Sequence, residues 1–119
     1  MNGFGLNLER ETLSNDNFRR VLFTAPHSQL VLMSLLPNEE IGMETHAEHD
    51  QFIKIEAGNG QAMIGGQEFV LEPGSAVVIP AGSEHNIINT SPTEKMKLYT
   101  VYTPPEHPDG TIHATRPAA

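Results

Sequence analysis

Short apolar segments, interrupted by turns rich in glycine and proline, recur along most of the chain. In segment 51–57 apolar and polar positions alternate, so that Gln51 and Ile53 share one face while Phe52 and Lys54 share the other. A period of two residues is typical of a β-strand with one buried face. No stretch combines the length and the 3.6-residue period of a substantial helix. The pattern therefore predicts about eight or nine short strands in an all-β sandwich or barrel.

The same pattern divides the chain into three parts. Residues 1–17 are polar and weakly periodic, which predicts an N-terminal arm, whereas residues 18–103 contain the strand-like segments and predict the barrel. Residues 104–119 begin with closely spaced prolines, which cannot pair within a central strand, so we predict an extended C-terminal tail that packs on the barrel. Within the barrel we predict a hairpin that turns at Gly65 and Gly66.

Composition narrows the functional classes. The chain has 119 residues, enough for one domain with a single core, and 15 acidic against 7 basic residues give a formal net charge of -8. This charge argues against a nucleic-acid or anionic-membrane partner. The absence of cysteine excludes disulfides, thiolate nucleophiles and cysteine-ligated metals. The N-terminus does not resemble a secretory signal and the apolar runs are too short to span a bilayer, so we expect a cytoplasmic protein.

Side chains that can bind metal ions are crowded between residues 44 and 52. Glu44, His46, His49 and Gln51 lie there, immediately before and within the start of a predicted strand. One interpretation is a polar loop that is rich in histidine. The other is half of a metal site, whose remaining ligands come from elsewhere in the chain and must be histidine, carboxylate or amide oxygen.

The second half of such a site is indicated by the segment GSAVVIPAGSEHNIIN. Its fixed positions are Gly74, Pro80, Gly82, His85 and Asn89. They resemble the second motif of the cupin superfamily, G-x5-P-x-G-x2-H-x3-N, at every fixed position. The segment itself predicts a buried strand that ends at the proline, a turn, and a second strand with the histidine on its inward face. An inward histidine requires a partner.

The first cupin motif, G-x5-H-x-H-x3,4-E-x6-G, is matched less closely. His46 and Gly58 keep their usual types. Asn38 stands at the position of the first glycine, Glu44 at that of the first histidine, and Gln51 at that of the usual glutamate. The carboxylate is thus moved within the motif, and the formal charge of the ligand set is unchanged.

The resemblance implies a divalent metal ion held by one set of four side chains: Glu44, His46, Gln51 and His85. Two histidines and one carboxylate suit Fe(II), and Mn(II), Ni(II) and Zn(II) stay open. His49 is either a further ligand, a replacement for Gln51, or a solvated loop histidine.

Three side chains are candidates for a catalytic role. Glu44 would double as a base, and Tyr99 and His107 are the candidates beyond the ligands. Tyr99 and Tyr102 fall on opposite faces of one predicted strand, so at most one of them lines the barrel. A structural role for the tyrosines and for His107 is the alternative. No cluster of Arg or Lys stands out in the predicted strands, which argues against a sugar phosphate as the substrate.

Over residues 30–115 the chain resembles small single-domain bacterial cupins of a subgroup labelled mannose-6-phosphate isomerase-like. This resemblance implies a jelly roll of the RmlC-like type and a homodimer that binds a small-molecule ligand. Three functions remain open: a metal-dependent enzyme of isomerase or oxygenase type, a binding or sensing module without catalysis, and a structural protein with a vestigial metal site.

Overall fold

A computed structural model describes residues 2–118 of the chain. One short helix precedes nine strands along this part of the sequence. The elements are α1 (Leu8–Ser14), β1 (Arg19–Thr24), β2 (Gln29–Leu35), β3 (Asp50–Ala57), β4 (Gly60–Ile64), β5 (Gln67–Leu71), β6 (Ala76–Ile79), β7 (His85–Asn89), β8 (Met96–Thr103) and β9 (Ile112–His113).

The strands form two antiparallel sheets. The larger sheet has the order β6-β3-β8-β2-β1-β9 and the smaller one the order β5-β4-β7. Apolar side chains of both sheets, among them Val31, Ile53, Ile87 and Leu98, make one buried core between them. The predicted all-β jelly roll is confirmed. Among residues 2–118, no helix is long and apolar enough to cross a membrane.

The β4–β5 hairpin turns where the sequence predicts it. Gly65 and Gly66 connect the two strands, and their φ angles are 55° and 80°. A two-residue turn with positive φ at both positions follows the right-handed twist of the flanking strands.

The prediction of a fully buried strand before Pro80 is wrong for one of its faces. β6 lies at an edge of the larger sheet and pairs with β3 alone. Ile79 is only 1% exposed, whereas Val78 is 63% exposed. The apolar run therefore has one buried and one open face, since a strand buried on both sides would need a second layer above it.

The N-terminal segment crosses the outer face of the larger sheet. It contains α1, whose first turn is capped by the Asn7 side chain, which accepts a hydrogen bond from Arg10 N at 2.9 Å. Lys97 of β8 points outward and donates to the Asp16 carboxylate at 2.7 Å. The sequence does not predict this helix, because seven residues make too few turns to show a clear 3.6-residue period.

The C-terminal segment returns to the barrel and adds a strand to it. β9 pairs antiparallel with the beginning of β1, where Arg19 faces His113 and Arg20 faces Ile112. Between β8 and β9, residues 106–107 are bound to the buried side chain of Gln29. Within the C-terminal segment, residues 106–107 thus contact a buried side chain at one end of the barrel.

Candidate metal centre

The second motif places His85 at the start of β7, facing inward. His85 is 3% exposed, and Ile87 and Asn89 on the same face are 1% and 0% exposed. The preceding turn contains Gly82 with a φ of 84°, a conformation that L side chains rarely adopt. The inward direction of the His85 side chain is thus the one that the alternation of residues along this strand predicts.

The segment that carries Glu44 and His46 runs antiparallel to β7. Glu44 and His85 exchange two backbone hydrogen bonds of 2.8 Å, and Ile41 N donates to Ile87 O at 2.9 Å. The Gly82 N–H donates to His46 O at 2.9 Å. This irregular segment lies beside β7 and brings the two halves of the predicted site together.

The turn that begins this segment explains one departure from the first motif. Asn38 stands where the motif has glycine, and its φ is 63°. Asparagine tolerates the left-handed region better than most residues. Asn38 therefore adopts the backbone conformation that glycine would supply.

Three potential ligands converge at the end of the barrel. One donor atom each from Glu44, His46 and His85 lie within 4.8 Å of one another. The imidazole centroids of His46 and His85 are 5.3 Å apart. This spacing allows the three side chains to share one ion.

The polar atoms of this group lie close to one another. Nε2 of His46 is buried and lies 2.8 Å from a Glu44 carboxylate oxygen, and it makes no hydrogen bond within residues 2–118. Nδ1 of His85 lies 2.9 Å from the Ser83 carbonyl oxygen. Because a carbonyl only accepts, Nδ1 carries the proton and Nε2 keeps its lone pair for a metal.

Gln51 meets the requirements for an amide ligand. It lies at the inward face of β3, is 4% exposed, and its Nε2 donates to Thr100 Oγ1 at 3.0 Å. Its Oε1 is buried and accepts no hydrogen bond from any group in residues 2–118. A buried acceptor without a partner is costly, and a metal ion would satisfy it. The residues present therefore fit a divalent ion.

His49 faces the C-terminal segment instead of the three converging donors. Its Nδ1 donates to Pro104 O at 2.7 Å, and its Nε2 lies 2.8 Å from the Glu106 carboxylate. The same carboxylate lies 3.6 Å from Nδ1 of His46. Both ring nitrogens of His49 contact this segment, and Glu106 lies close to His46 as well.

The two tyrosines of β8 lie on opposite faces, as the sequence predicts. Tyr99 faces outward beside Phe52, with ring centroids 6.3 Å apart, so it does not line the barrel. Tyr102 faces inward and its ring stands edge-on to His46 at 5.9 Å. Burial raises the pKa of Tyr102; the charge of Arg19 opposes this rise, and the carboxylates of Glu44 and Glu106 add to it. The inward phenol thus stays protonated.

His107 lies above this end of the barrel, half-buried against Tyr102 with 5.2 Å between the ring centroids. Burial lowers the pKa of His107 to about 4, and the charge of Arg19 contributes in the same direction. Its Nε2 is buried and has no hydrogen-bond partner within residues 2–118. The imidazole of His107 is therefore neutral near pH 7.

Sequence reasoning missed two residues close to this group. Arg19 alternates in phase with the buried Val21, a signal that would have placed it inside the barrel. Glu106 offered no such signal, because its position depends on how the C-terminal segment folds back over the strands.

Comparison with known proteins identifies the family. The family model described as the cupin domain matches residues 31–102. An uncharacterized protein of Acanthamoeba polyphaga mimivirus is 50% identical over 115 residues, covering 94% of this chain and 72% of the relative. The uncharacterized protein YrkC of Bacillus subtilis (strain 168) is 44% identical over 119 residues, covering 95% of this chain and 63% of the relative. This chain therefore spans about two-thirds of the length of these relatives.

Solved structures with the same fold were also found. The crystal structure of BH2720 from Bacillus halodurans matches with a TM-score of 0.94 at 40% identity, covering 97% of this chain and 91% of that one. An RmlC-like cupin from Shewanella frigidimarina matches with a TM-score of 0.65 at 21% identity, covering 73% and 75%. The second similarity shows a common fold alone.

Proposed function

Since this chain belongs to the cupin family, we propose that it is a metal-dependent enzyme acting on a small organic substrate. The proposed ligands are Glu44, His46, Gln51 and His85. The observation that carries this proposal is the convergence of three donor atoms within 4.8 Å. The unpartnered Gln51 Oε1 supports the fourth ligand.

The donor set favours a first-row divalent ion. Two imidazoles, a carboxylate and an amide oxygen suit Fe(II) best, and Mn(II), Ni(II) and Zn(II) accept the same donors. When bound, the ion would act as a Lewis acid or would activate oxygen at an open coordination position.

The protein side chains around the proposed site can bind and move protons. Glu44 also lines a cavity of about 340 Å³, and we propose that its carboxylate acts as a base on a molecule bound there. His107 supplies a neutral imidazole above this end of the barrel, and Tyr102 supplies a phenol that stays protonated. These groups favour a proton-transfer reaction of the isomerase type, or an oxygenase that deprotonates its substrate.

Metal content is the direct test of the proposed ligands. Protein purified without added metal should contain one transition-metal ion per chain by elemental analysis. His46→Ala and His85→Ala should each lose most of it, because each removes one of the two imidazoles. His27→Ala removes an exposed histidine in the β1–β2 turn and serves as the control. Full stoichiometry in both ligand variants would refute the assignment.

Turnover separates an enzyme from a binding module. The metallated protein should convert a substrate within a panel of small organic compounds, and Glu44→Gln should abolish conversion. Binding without conversion would instead support a module that senses a small molecule. Absence of both metal and ligand binding would support a structural role.

Three further properties are part of this proposal. We propose membership of the mannose-6-phosphate isomerase-like subgroup, a cytoplasmic location and a homodimer. The exposed β5, with Val70 80% exposed at the edge of the smaller sheet, supports pairing between two copies. Light scattering after size exclusion tests the dimer.

A further inference from the structure

A buried cation lies beside the proposed metal ligands. Arg19 is 9% exposed and belongs to the inward face of β1. Within residues 2–118 its guanidinium makes no ion pair with a carboxylate. Its Nε is buried and has no hydrogen-bond partner in the described part of the chain. Burial of a charge without a counterion is unfavourable, so this arrangement calls for an anion from outside the chain.

The neighbours of Arg19 hold it in place but do not neutralise it. Its Nη1 lies 3.0 Å from Nδ1 of His113, and its guanidinium carbon lies 5.2 Å from the centre of the Phe18 ring. Pairing of β1 with β9 fixes the position of His113. Arg19 is therefore oriented by the fold before any ligand binds.

Arg19 forms part of the wall of the cavity of about 340 Å³, and a second arginine lies in the same wall. The Arg116 guanidinium lies over Gly42, where a Cβ would stand only 2.6 Å from Nη2. Ile41 and Met43 add apolar surface. A volume of this size accommodates a small organic molecule.

We propose that this cavity binds the carboxylate of a small organic acid, with Arg19 and Arg116 as the anion-binding residues. Guanidinium groups match a planar carboxylate through paired N–H donors. Glu44 lies in the same wall, and its negative charge disfavours a dianionic phosphate more than a carboxylate. The Gly42 N–H, an amide that could serve a phosphate, already donates to Asn86 Oδ1 at 2.9 Å.

The anion site names the class of substrate for the proposed enzyme. A catalytic role of the bound acid rests on that proposed function. Glu44 belongs both to the cavity wall and to the converging ligands. A carboxylate held by Arg19 would therefore place the rest of the acid next to the metal site. No cluster of Arg or Lys stands out in the predicted strands, so we do not expect a sugar phosphate as the substrate. A carboxylate is a different anion, and two arginines in the cavity wall are enough to bind it.

The test is calorimetric binding of succinate and of inorganic phosphate to the protein as purified. Wild type should bind succinate more tightly than phosphate, and Arg19→Gln should weaken succinate binding about 10- to 100-fold. Arg19→Lys keeps the charge and should give an intermediate loss. Arg116→Gln should also weaken binding. Arg20→Gln, which changes the neighbouring arginine on the opposite face of β1, should leave it unchanged.

Succinate binding tests the anion site, and metal content tests the metal site. Equal succinate affinity in wild type and in folded Arg19→Gln or Arg19→Lys would overturn the inference, as would the absence of succinate binding or tighter binding of phosphate. Metal content is measured in the same samples and reports on the proposed function alone. Arginine-dependent succinate binding without metal would uphold the anion site and refute the metal site.

Discussion

One buried glutamine holds the C-terminal segment over the end of the barrel. Gln29 is 1% exposed, and its Nε2 donates to His107 O at 2.7 Å and to Thr24 Oγ1 at 2.9 Å. Its Oε1 accepts from His107 N at 2.9 Å and from Glu106 N at 3.2 Å. Three of these four hydrogen bonds join the barrel to residues 106–107, next to His46 and His49.

The three hydrogen bonds allow an estimate of how much Gln29 opposes local opening of residues 106–107. Gln29→Met keeps the length of the side chain but removes its amide group. Each hydrogen bond contributes roughly 1 kcal/mol net, so local opening of residues 106–107 should become easier by about 3 kcal/mol. Since 1.4 kcal/mol corresponds to a factor of about 10, the open population should rise about 100-fold.

Amide hydrogen exchange measures this opening directly. The His107 amide should exchange about 100-fold faster in Gln29→Met than in wild type, whereas amides in the centre of β8 should change far less. Gln67→Met, which changes an exposed glutamine of β5, is the matched control and should leave His107 unchanged. An unchanged exchange rate at His107 in folded Gln29→Met would refute the role of Gln29.

Three further predictions concern stability and charge. The Asn89 side chain is 0% exposed, and its Nδ2 donates to three carbonyls. Asn89→Ala should therefore lower the free energy of unfolding, measured with urea, by about 2–4 kcal/mol. The control Asn59→Ala changes an exposed asparagine and should lower it by less than about 0.5 kcal/mol. Gly58→Ala should lower the melting temperature because its φ is 92° and a Cβ would lie 2.7 Å from Lys95 O; an unchanged value would contradict the packing. The His107 imidazole should titrate near pH 4 by NMR, below its ordinary value of 6.5. Because the unfolded chain binds this proton at higher pH than the folded chain, the free energy of unfolding should fall as pH decreases from about 6.5 to about 4 and should then level off. The ring is only half-buried, so solvent reduces the size of this effect. A titration midpoint of His107 near 6.5 would contradict burial of the ring.

Local spacing made the strands and the second motif predictable. His85 and Asn89 face inward because they alternate with outward residues along β7, a relation that the sequence contains. The first motif was harder to interpret, since three of its positions carry different residues. Asn38 shows why such a departure is compatible with the fold: its backbone adopts the glycine conformation.

Long-range pairing explains what the sequence did not reveal. The exposed face of β6 depends on its place at the edge of the sheet, and strand order is not encoded in a local pattern. Glu106 approaches His46 only because Gln29, far away in the sequence, binds the segment that carries it. Arg19 could have been recognised from its alternation with Val21, but the cavity beside it could not.

We propose that side chains from two distant segments bind one metal ion inside the barrel. Anomalous diffraction, recorded at the absorption edge of the metal found by elemental analysis, locates such an ion. We expect one strong peak about 2 Å from Nε2 of both His46 and His85, with oxygens of Glu44 and Gln51 completing the set. A peak bound to only one of these histidines, or located at the protein surface, would contradict it.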